Sequence, residues 1–296
     1  MTIIERLERS LEAAPRISTA DTLWYLLFAG AAWLLFHVAL RQVLRHRRIS
    51  SKPNPGSQIR REVLDSLRSL VIFGLVGGFV KFASLSGWTQ FYYSIEERGW
   101  VWYGVSFALM IAIHDTYFYW THRLMHHRRL FKLFHLTHHR STSPTPWAAY
   151  AFSPLEALVQ AGVAPLIAFT IPVHPSAFLP FMLWQITFNV LGHCGYEIWP
   201  SWFLETRFGR FLNTPTHHSL HHEKFRSNYG LYFNFWDRVM ATNHATYEVR
   251  FAQATTIPAT DPEPIILTFG PAAAEKSPAQ LNAIDDHHRD VKAMAS

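Results

Sequence analysis

Residues 100–127 read WVWYGVSFALMIAIHDTYFYWTHRLMHH, an apolar run that ends in histidines. It starts without charge, and the run 100–120 has the length of about 20 residues with which a helix crosses a hydrocarbon core. His114 and Asp115 lie inside that run. Because such residues are costly in lipid, they indicate a site lined by protein. The stretch therefore predicts a membrane helix that leads into a functional site.

Further apolar stretches predict more membrane spans. Residues 22–40 contain no Asp, Glu, Lys or Arg, and residues 67–85 are interrupted by Lys81, which can snorkel from the end of a span. Residues 157–196 also lack these charges, but the segment 172–175 carries two prolines and divides them into two spans joined by a tight turn. We expect an all-α, multi-pass membrane helical bundle of about four to five spans, with a cytoplasmic helical cap.

Composition and charge agree with lipid contact. Hydrophobic residues make up 49% of the chain and charged residues 16%. The net charge of +6 would suit nucleic acid, but basic residues such as Arg41, Arg45 and Lys52 lie beside apolar blocks, as on a cytoplasmic membrane flank. We therefore expect no nucleic-acid partner. Alternating spans from that flank puts every histidine-rich segment on the cytoplasmic side of a bacterial inner membrane or of the endoplasmic reticulum.

The chain divides into three regions. Residues 1–99 form an N-terminal membrane region with two spans, and residues 100–250 carry the third span, the helical pair and the histidine-rich segments. Residues 251–296 are rich in Ala, Pro and charge and lack apolar periodicity. We expect this polar tail to be partly disordered.

Three histidine boxes stand out, at 122–127, 135–139 and 217–222. Residues three or four apart share a helix face, so two imidazoles at that spacing can reach one metal ion. His193 is a further candidate, since an ionisable group near the end of a span is a functional candidate by default. The predicted ligands are His122, His126, His135, His138, His139, His193, His218, His221 and His222.

Other residues near the boxes are weaker candidates. His114, His127 and His217 are optional ligands, and Asp115 is a candidate hydrogen-bond acceptor behind a ligand histidine. The remaining histidines have no partner at ligand spacing, and we interpret them as structural or solvated: His37, His46, His174, His244, His287 and His288. Interfacial solvation would explain one histidine, but it does not explain three boxes together.

The number of ligands indicates the kind of metal. Because Cys194 is the single cysteine, zinc or iron–sulfur sites built on several thiolates are excluded. Imidazole suits iron, copper and zinc, whereas magnesium and calcium prefer oxygen. A zinc ion takes about four ligands, fewer than the boxes offer, whereas two six-coordinate irons with open positions would use about this number. The Glu-x-x-His pattern of carboxylate di-iron bundles is absent.

At these boxes the sequence resembles the fatty acid hydroxylase and sterol desaturase superfamily, with its H-x3-H, H-x2-H-H and late H-x2-H-H pattern. The similarity covers roughly residues 100–242. It includes His114 and Asp115 before the first box, and the segments 228–230 and 236–238 after the last. Residues 144–148, 151–154 and Gln160 are most similar to the C-5 sterol desaturase branch. The resemblance implies two non-haem iron ions held by the nine predicted ligands, dioxygen as co-substrate and an external electron donor.

The implied activity is hydroxylation or desaturation of a lipid, a sterol or a fatty acyl lipid, that enters from the bilayer. No glycine fingerprint for a nucleotide follows a strand, so electrons from NAD(P)H must arrive through a separate cytochrome b5-like or ferredoxin-like protein. Two alternatives from other classes are a transition-metal transporter and a haem-binding electron carrier. Candidate walls of the lipid pocket are Trp147, Phe152, Trp184 and Phe188. We also expect a charge-assisted bond between Arg123 and Asp237.

Overall fold

The computed structural model describes residues 1–256, and these are helical, with three isolated β-bridges and no β-strand among them. The all-α prediction is thus confirmed for the described part. The α-helices are α1 Ile3–Ala32, α2 Gly56–Leu85, α3 Gly99–Met125, α4 Phe131–Phe134, α5 Leu136–His139, α6 Pro154–Ala161, α7 Val163–Thr170, α8 Phe178–Gly192, α9 Pro215–Lys224, α10 Phe235–Val239 and α11 Tyr247–Thr255. Helix α1 continues as a π-helical turn, Trp33–Ala39.

Two helices of the described residues are long and apolar enough to cross a membrane, by length and composition: Ile3–Ala39 and Gly56–Leu85. They contain the first two predicted spans. The third, α3, has 27 residues, but its second half carries polar groups. The predicted break near residue 172 lies between α7 and α8, where Pro175 begins a short 3-10 helix. Helices α6 and α7 together form a shorter apolar segment, Pro154–Thr170.

Helices α1 and α2 pack very closely, and glycine makes this possible. A Cβ added to Gly74 would lie 1.9 Å from the hydroxyl of Ser18, and one added to Gly78 would lie 2.9 Å from the carbonyl of Ser10. The contacts run in opposite directions along the two helices, so the pair is antiparallel. Small residues at such a contact let two backbones approach, as is typical of helix pairs in membranes.

The segment between α5 and α6 is held against α1 and α2 by hydrogen bonds. The hydroxyls of Tyr25 and Ser66 both donate to the carbonyl of Trp147, at 2.8 and 2.9 Å. Arg68 donates to the carbonyl of Phe152 at 2.8 Å. This segment follows the second histidine box directly, so these bonds fix the box relative to the long apolar helices.

The loop between α9 and α10 is held by two buried carboxylates. Asp237 accepts hydrogen bonds from the backbone nitrogens of Tyr229 and Gly230, at 2.8 and 2.7 Å. Asp115, on α3, accepts from the backbone nitrogens of Tyr232 and Phe233, at 2.8 and 3.1 Å. The loop therefore lies across α3, beside the first histidine box.

Helix α11 extends across residue 250, where the polar tail was predicted to begin. From residue 257 onward the predicted tail, with His287 and His288, lies outside the described residues.

Candidate metal centre

The three histidine boxes and His193 converge into two clusters. Within each cluster the candidate ligand atoms all lie within 4.8 Å of one another, and every member is buried. The larger cluster, called the five-histidine cluster below, contains His122, His126, His135, His139 and His221. The smaller, four-histidine cluster contains His138, His193, His218 and His222. All nine predicted ligands are thus members of a cluster.

In the five-histidine cluster the ring nitrogens approach one another closely. The Nε2 atoms of His122 and His135 are 2.9 Å apart. The Nε2 atom of His139 lies 3.2 Å from that of His126 and 3.0 Å from that of His221. Each ring therefore directs its Nε2 atom toward one small volume. The rings lie on α3, α5 and α9 and on the turn before α5.

The four-histidine cluster repeats this arrangement. The Nε2 atom of His193 lies 3.4 Å from that of His138 and 2.9 Å from that of His218. The Nε2 atoms of His218 and His222 are 3.1 Å apart. His193 follows the last residue of α8, so this helix contributes a candidate ligand that none of the boxes contains.

Hydrogen bonds at the other ring nitrogen orient several of these imidazoles. The Nδ1 atoms of His122, His193 and His221 lie 2.9, 2.7 and 2.7 Å from the backbone carbonyls of Tyr229, Asn189 and Ser227. A carbonyl only accepts, so Nδ1 carries the proton in each ring. The lone pair is then on Nε2, the atom that points into the cluster, which is the tautomer that a metal ligand requires.

Glu156 provides the carboxylate behind the five-histidine cluster. Its Oε1 atom lies 2.5 Å from Nδ1 of His135, and both side chains are buried. The sequence offered Asp115 as a candidate for this role; in the structure Asp115 accepts from backbone nitrogens of the loop after α9. The available signal was the position of Glu156, the last charged residue before the uncharged stretch 157–196.

The residues present fit metal ions. Burial and neighbouring imidazoles lower the pKa of His126, His138, His139 and His222 well below the usual 6.5, so these rings are neutral near pH 7. Neighbouring ligands at right angles around an ion, each at about 2.1 Å, lie about 3.0 Å apart, close to the observed nitrogen separations. Five converging imidazoles also exceed the tetrahedral set of structural zinc.

The weaker candidates lie outside both clusters. His127 is exposed, and its Nδ1 atom accepts from the backbone of Arg129 at 3.4 Å. His217 is buried beside Asn243, 3.2 Å from its amide oxygen, and lies 3.8 Å from the carboxylate of Asp237. His114 pairs with the hydroxyl of Tyr232 at 2.9 Å.

The predicted bond between Arg123 and Asp237 is wrong. Arg123 donates instead to the hydroxyl of Tyr119, at 3.1 Å. That hydroxyl lies 3.0 Å from the hydroxyl of Thr242, which donates to Asp237 at 2.7 Å. The two charges are therefore connected through two hydroxyl groups rather than directly.

A cavity of about 400 Å³ leads away from the clusters between the long helices. Its volume is in the range of pockets that hold small organic molecules, about 300–1,000 Å³. Phe118 and Phe152 line it, and their rings lie 4.9 and 5.3 Å from those of His122 and His138, so one end of the cavity adjoins both clusters. On α2 the lining residues Phe73, Gly77, Val80 and Ser84 recur on one helix face.

Of the four predicted pocket walls, only Phe152 lines this cavity. Trp147 instead packs against Tyr25, with ring centres 5.9 Å apart. Trp184 packs against Phe188, with ring centres 4.6 Å apart.

A second cavity, of about 210 Å³, reaches the four-histidine cluster directly. His193 and His218 line it, together with Phe188. Asn189 and Leu231 line both cavities.

Comparisons with known proteins agree with this site. The family model for fatty acid hydroxylase matches residues 107–242. A Delta(7)-sterol 5(6)-desaturase of Aspergillus fumigatus is 32% identical over 238 residues, which cover 73% of each chain. A second enzyme of that name, from Gibberella zeae, is 33% identical over 64% of this chain and 57% of its own length. The lathosterol oxidase of Rattus norvegicus is 30% identical over 62% of this chain and 60% of its own.

The matched region thus spans less than two thirds of two of these three curated relatives. No solved structure gives a significant match. The family model covers all three histidine boxes and His193, which are the residues that form the two clusters. The chain therefore belongs to the fatty acid hydroxylase family, within its sterol desaturase branch.

Proposed function

We propose that the protein is a membrane-bound, non-haem di-iron oxygenase that uses dioxygen and external electrons to desaturate or hydroxylate a lipid, with a sterol as the first candidate. The observation that carries this proposal is the pair of buried histidine clusters, five and four imidazoles, whose Nε2 atoms face a common centre in each. The names of the relatives, sterol desaturases and a lathosterol oxidase, support the substrate class.

The two clusters would hold one iron ion each through the nine predicted ligands. Bound iron would supply the activation of dioxygen that is needed to remove hydrogen from an unactivated carbon. The protein's own contribution is orientation and exclusion of water. Glu156 and three backbone carbonyls fix the imidazoles, and the apolar rings of Phe118 and Phe152 line the end of the larger cavity beside the clusters.

The larger cavity would receive the lipid. Its lining is mainly apolar and includes residues of α1, α2, α3, α7 and α8. We propose that these helices form a multi-pass membrane domain with the histidine clusters on the cytoplasmic side, in a bacterial inner membrane or the endoplasmic reticulum. The apolar character of α1 and α2 and the basic residues that follow α1 support this arrangement. A lipid could then enter from the bilayer without crossing water.

A separate redox protein would deliver the electrons. The turn between α3 and α4 carries Arg128 and Arg129, and α4 carries Lys132; all three are exposed and lie a few residues from His126 and His135. A positive surface of this kind speeds the encounter with an acidic partner, such as a cytochrome b5-like or ferredoxin-like carrier of electrons from NAD(P)H.

The two other function classes are less well supported. A haem carrier needs two axial histidines and leaves seven of the nine clustered imidazoles without a role. A transporter should hold its ligands near the middle of the spans, whereas these clusters lie at helix ends.

Metal analysis of the purified protein tests the proposal. We expect about two iron ions per chain and no haem absorbance. Zinc alone, or a haem spectrum, would contradict it. Lipid profiling of cells with and without the gene then tests the substrate class, with loss of an oxidised sterol or acyl lipid as the expected result.

A further inference from the structure

The larger cavity contains one buried polar group without a partner. Gln160 lines the cavity, and 8% of its surface is exposed. Its amide nitrogen makes no hydrogen bond with any residue of the described range 1–256. A buried amide without a partner is unfavourable, so a site of this kind indicates a ligand that supplies the missing bond.

The other buried polar residues of the cavity wall are already bonded. Gln185 donates to the hydroxyl of Tyr150, and Asn189 donates to the carbonyl of Ala149. His114 pairs with the hydroxyl of Tyr232. The remaining polar lining residues are not buried: Asp21, Lys81, Ser84 and Tyr93.

Gln160 lies at the end of the cavity that adjoins the histidines. It follows Glu156 by one turn of α6, and Glu156 bonds His135. The hydroxyl of Tyr117 donates to the carbonyl of Val159 at 2.6 Å, which fixes this part of α6 beside α3. Gln160 is therefore at the level of Phe118, one helical turn from His122.

From this end the cavity continues along α2, whose lining is apolar at Phe73, Val76, Gly77 and Val80 and carries Lys81 and Ser84 farther on. The lining residues of α2 run from Phe73 to Ser84, which is about 16 Å along a helix. A rigid hydrocarbon body can lie along this face. A hydroxyl of that body would lie near Gln160, because Gln160 is the buried polar group of the lining that has no partner.

We propose that the amide of Gln160 binds a hydroxyl group of the lipid substrate and so selects lipids whose hydroxyl lies close to the carbon that is oxidised. This inference rests on the proposed function. A 3-hydroxysterol that reacts at carbons 5 and 6 has this chemistry, because only one carbon separates the hydroxyl-bearing carbon from carbon 5. The amide nitrogen donates to the hydroxyl oxygen, and the hydrocarbon tail extends along α2.

Binding of two sterols to the purified full-length protein in lipid nanodiscs tests the inference. The probes are tritiated cholest-7-en-3β-ol and cholest-7-ene, which lacks the hydroxyl. We expect the wild-type protein to bind the hydroxylated sterol roughly tenfold more tightly, as one hydrogen bond to a buried partner allows. In Gln160→Met, and in Gln160→Leu measured in parallel, this ratio should fall to about one, with the affinity for cholest-7-ene retained.

The matched control is Gln42→Met, which makes the same change at an exposed site outside the cavity and should keep the wild-type ratio. An unchanged ratio in both Gln160 variants overturns the inference alone. So does a ratio that collapses instead in Asp21→Asn or Lys81→Met. If the wild-type protein binds neither sterol, the sterol proposal fails and this inference fails with it.

Discussion

The carboxylate of Glu156 lies 2.5 Å from Nδ1 of His135, with both side chains buried. A carboxylate behind a ligand histidine fixes the ring and makes its other nitrogen a stronger donor to a metal. His135 belongs to the five-histidine cluster, so Glu156 contacts a ligand of one of the two proposed centres only. Replacing its carboxyl group should therefore affect the two proposed centres unequally.

Glu156→Gln keeps the shape of the side chain but weakens the support of His135. Loss of such a partner costs about 10–100-fold in metal affinity or activity. We expect the variant to lose iron from one centre at chelator concentrations that leave the wild-type protein loaded, measured by elemental analysis after dialysis. Glu248→Gln, at an exposed position, is the control. Wild-type iron retention in Glu156→Gln would show that the carboxylate is not needed.

His221→Ala and His138→Ala each remove one imidazole, from the five-histidine and the four-histidine cluster respectively. Each should reduce bound iron from about two ions to about one and abolish lipid oxidation, since both centres are needed for the reaction we propose. His127→Ala, at an exposed position outside the clusters, should keep iron and activity. Full turnover in either cluster variant would refute the assignment of that ligand.

Ala164→Phe places a phenyl ring in the larger cavity. We expect lipid turnover to fall by at least about tenfold with the iron content unchanged, because the added ring occupies substrate volume without touching the histidines. Leu179→Phe, at a residue that is 54% exposed, is the control for added bulk. Wild-type turnover in Ala164→Phe would mean that the lipid binds elsewhere.

Acid should destabilise the metal-free protein. Burial lowers the pKa of His217 to about 4, and it holds those of His138, His139 and His222 well below 6.5. Below pH 6.5 the unfolded chain binds protons that the folded chain does not, so stability falls as pH falls. Glu156 and Glu197, whose pKa values are raised by burial, act in the opposite direction but are outnumbered by the histidines.

We therefore expect the unfolding temperature of chelator-treated protein to fall by about 5 °C or more between pH 7 and pH 5.5, measured by scanning fluorimetry. Between pH 7 and pH 8 it should change little, because the histidines are then neutral in both states. A flat profile across the acidic range would mean that the rings are more accessible to water than their burial indicates.

The sequence predicted the members of the clusters but not how they are shared. Each pair four residues apart stays in one cluster: His122 with His126, His135 with His139, and His218 with His222. Each pair three residues apart is divided, since His138 and His221 lie in the opposite cluster from their partners. Spacing along a helix fixes which rings share a face, but only the packing of α3, α5, α8 and α9 decides which faces meet.

The apolar stretches of the sequence predicted where the long helices lie, but they did not predict which residues of those helices are in contact. Long uncharged runs identified α1, α2, α3 and α8, because hydrophobic length is a local property. The hydrogen bonds of Trp147 with Tyr25 and Ser66 join segments more than 80 residues apart in the chain. No local pattern encodes such a contact, and the predicted role of Trp147 as a pocket wall failed for this reason.

The smaller cavity beside His193 and His218 gives the four-histidine cluster a separate access route. Asn189 and Leu231 line both cavities and lie between them. A lipid bound in the larger cavity would therefore leave the smaller cavity unoccupied. A gas molecule and a lipid would then not compete for one route. Either substrate could then bind first, depending on its concentration. This arrangement favours random-order rather than ordered substrate binding.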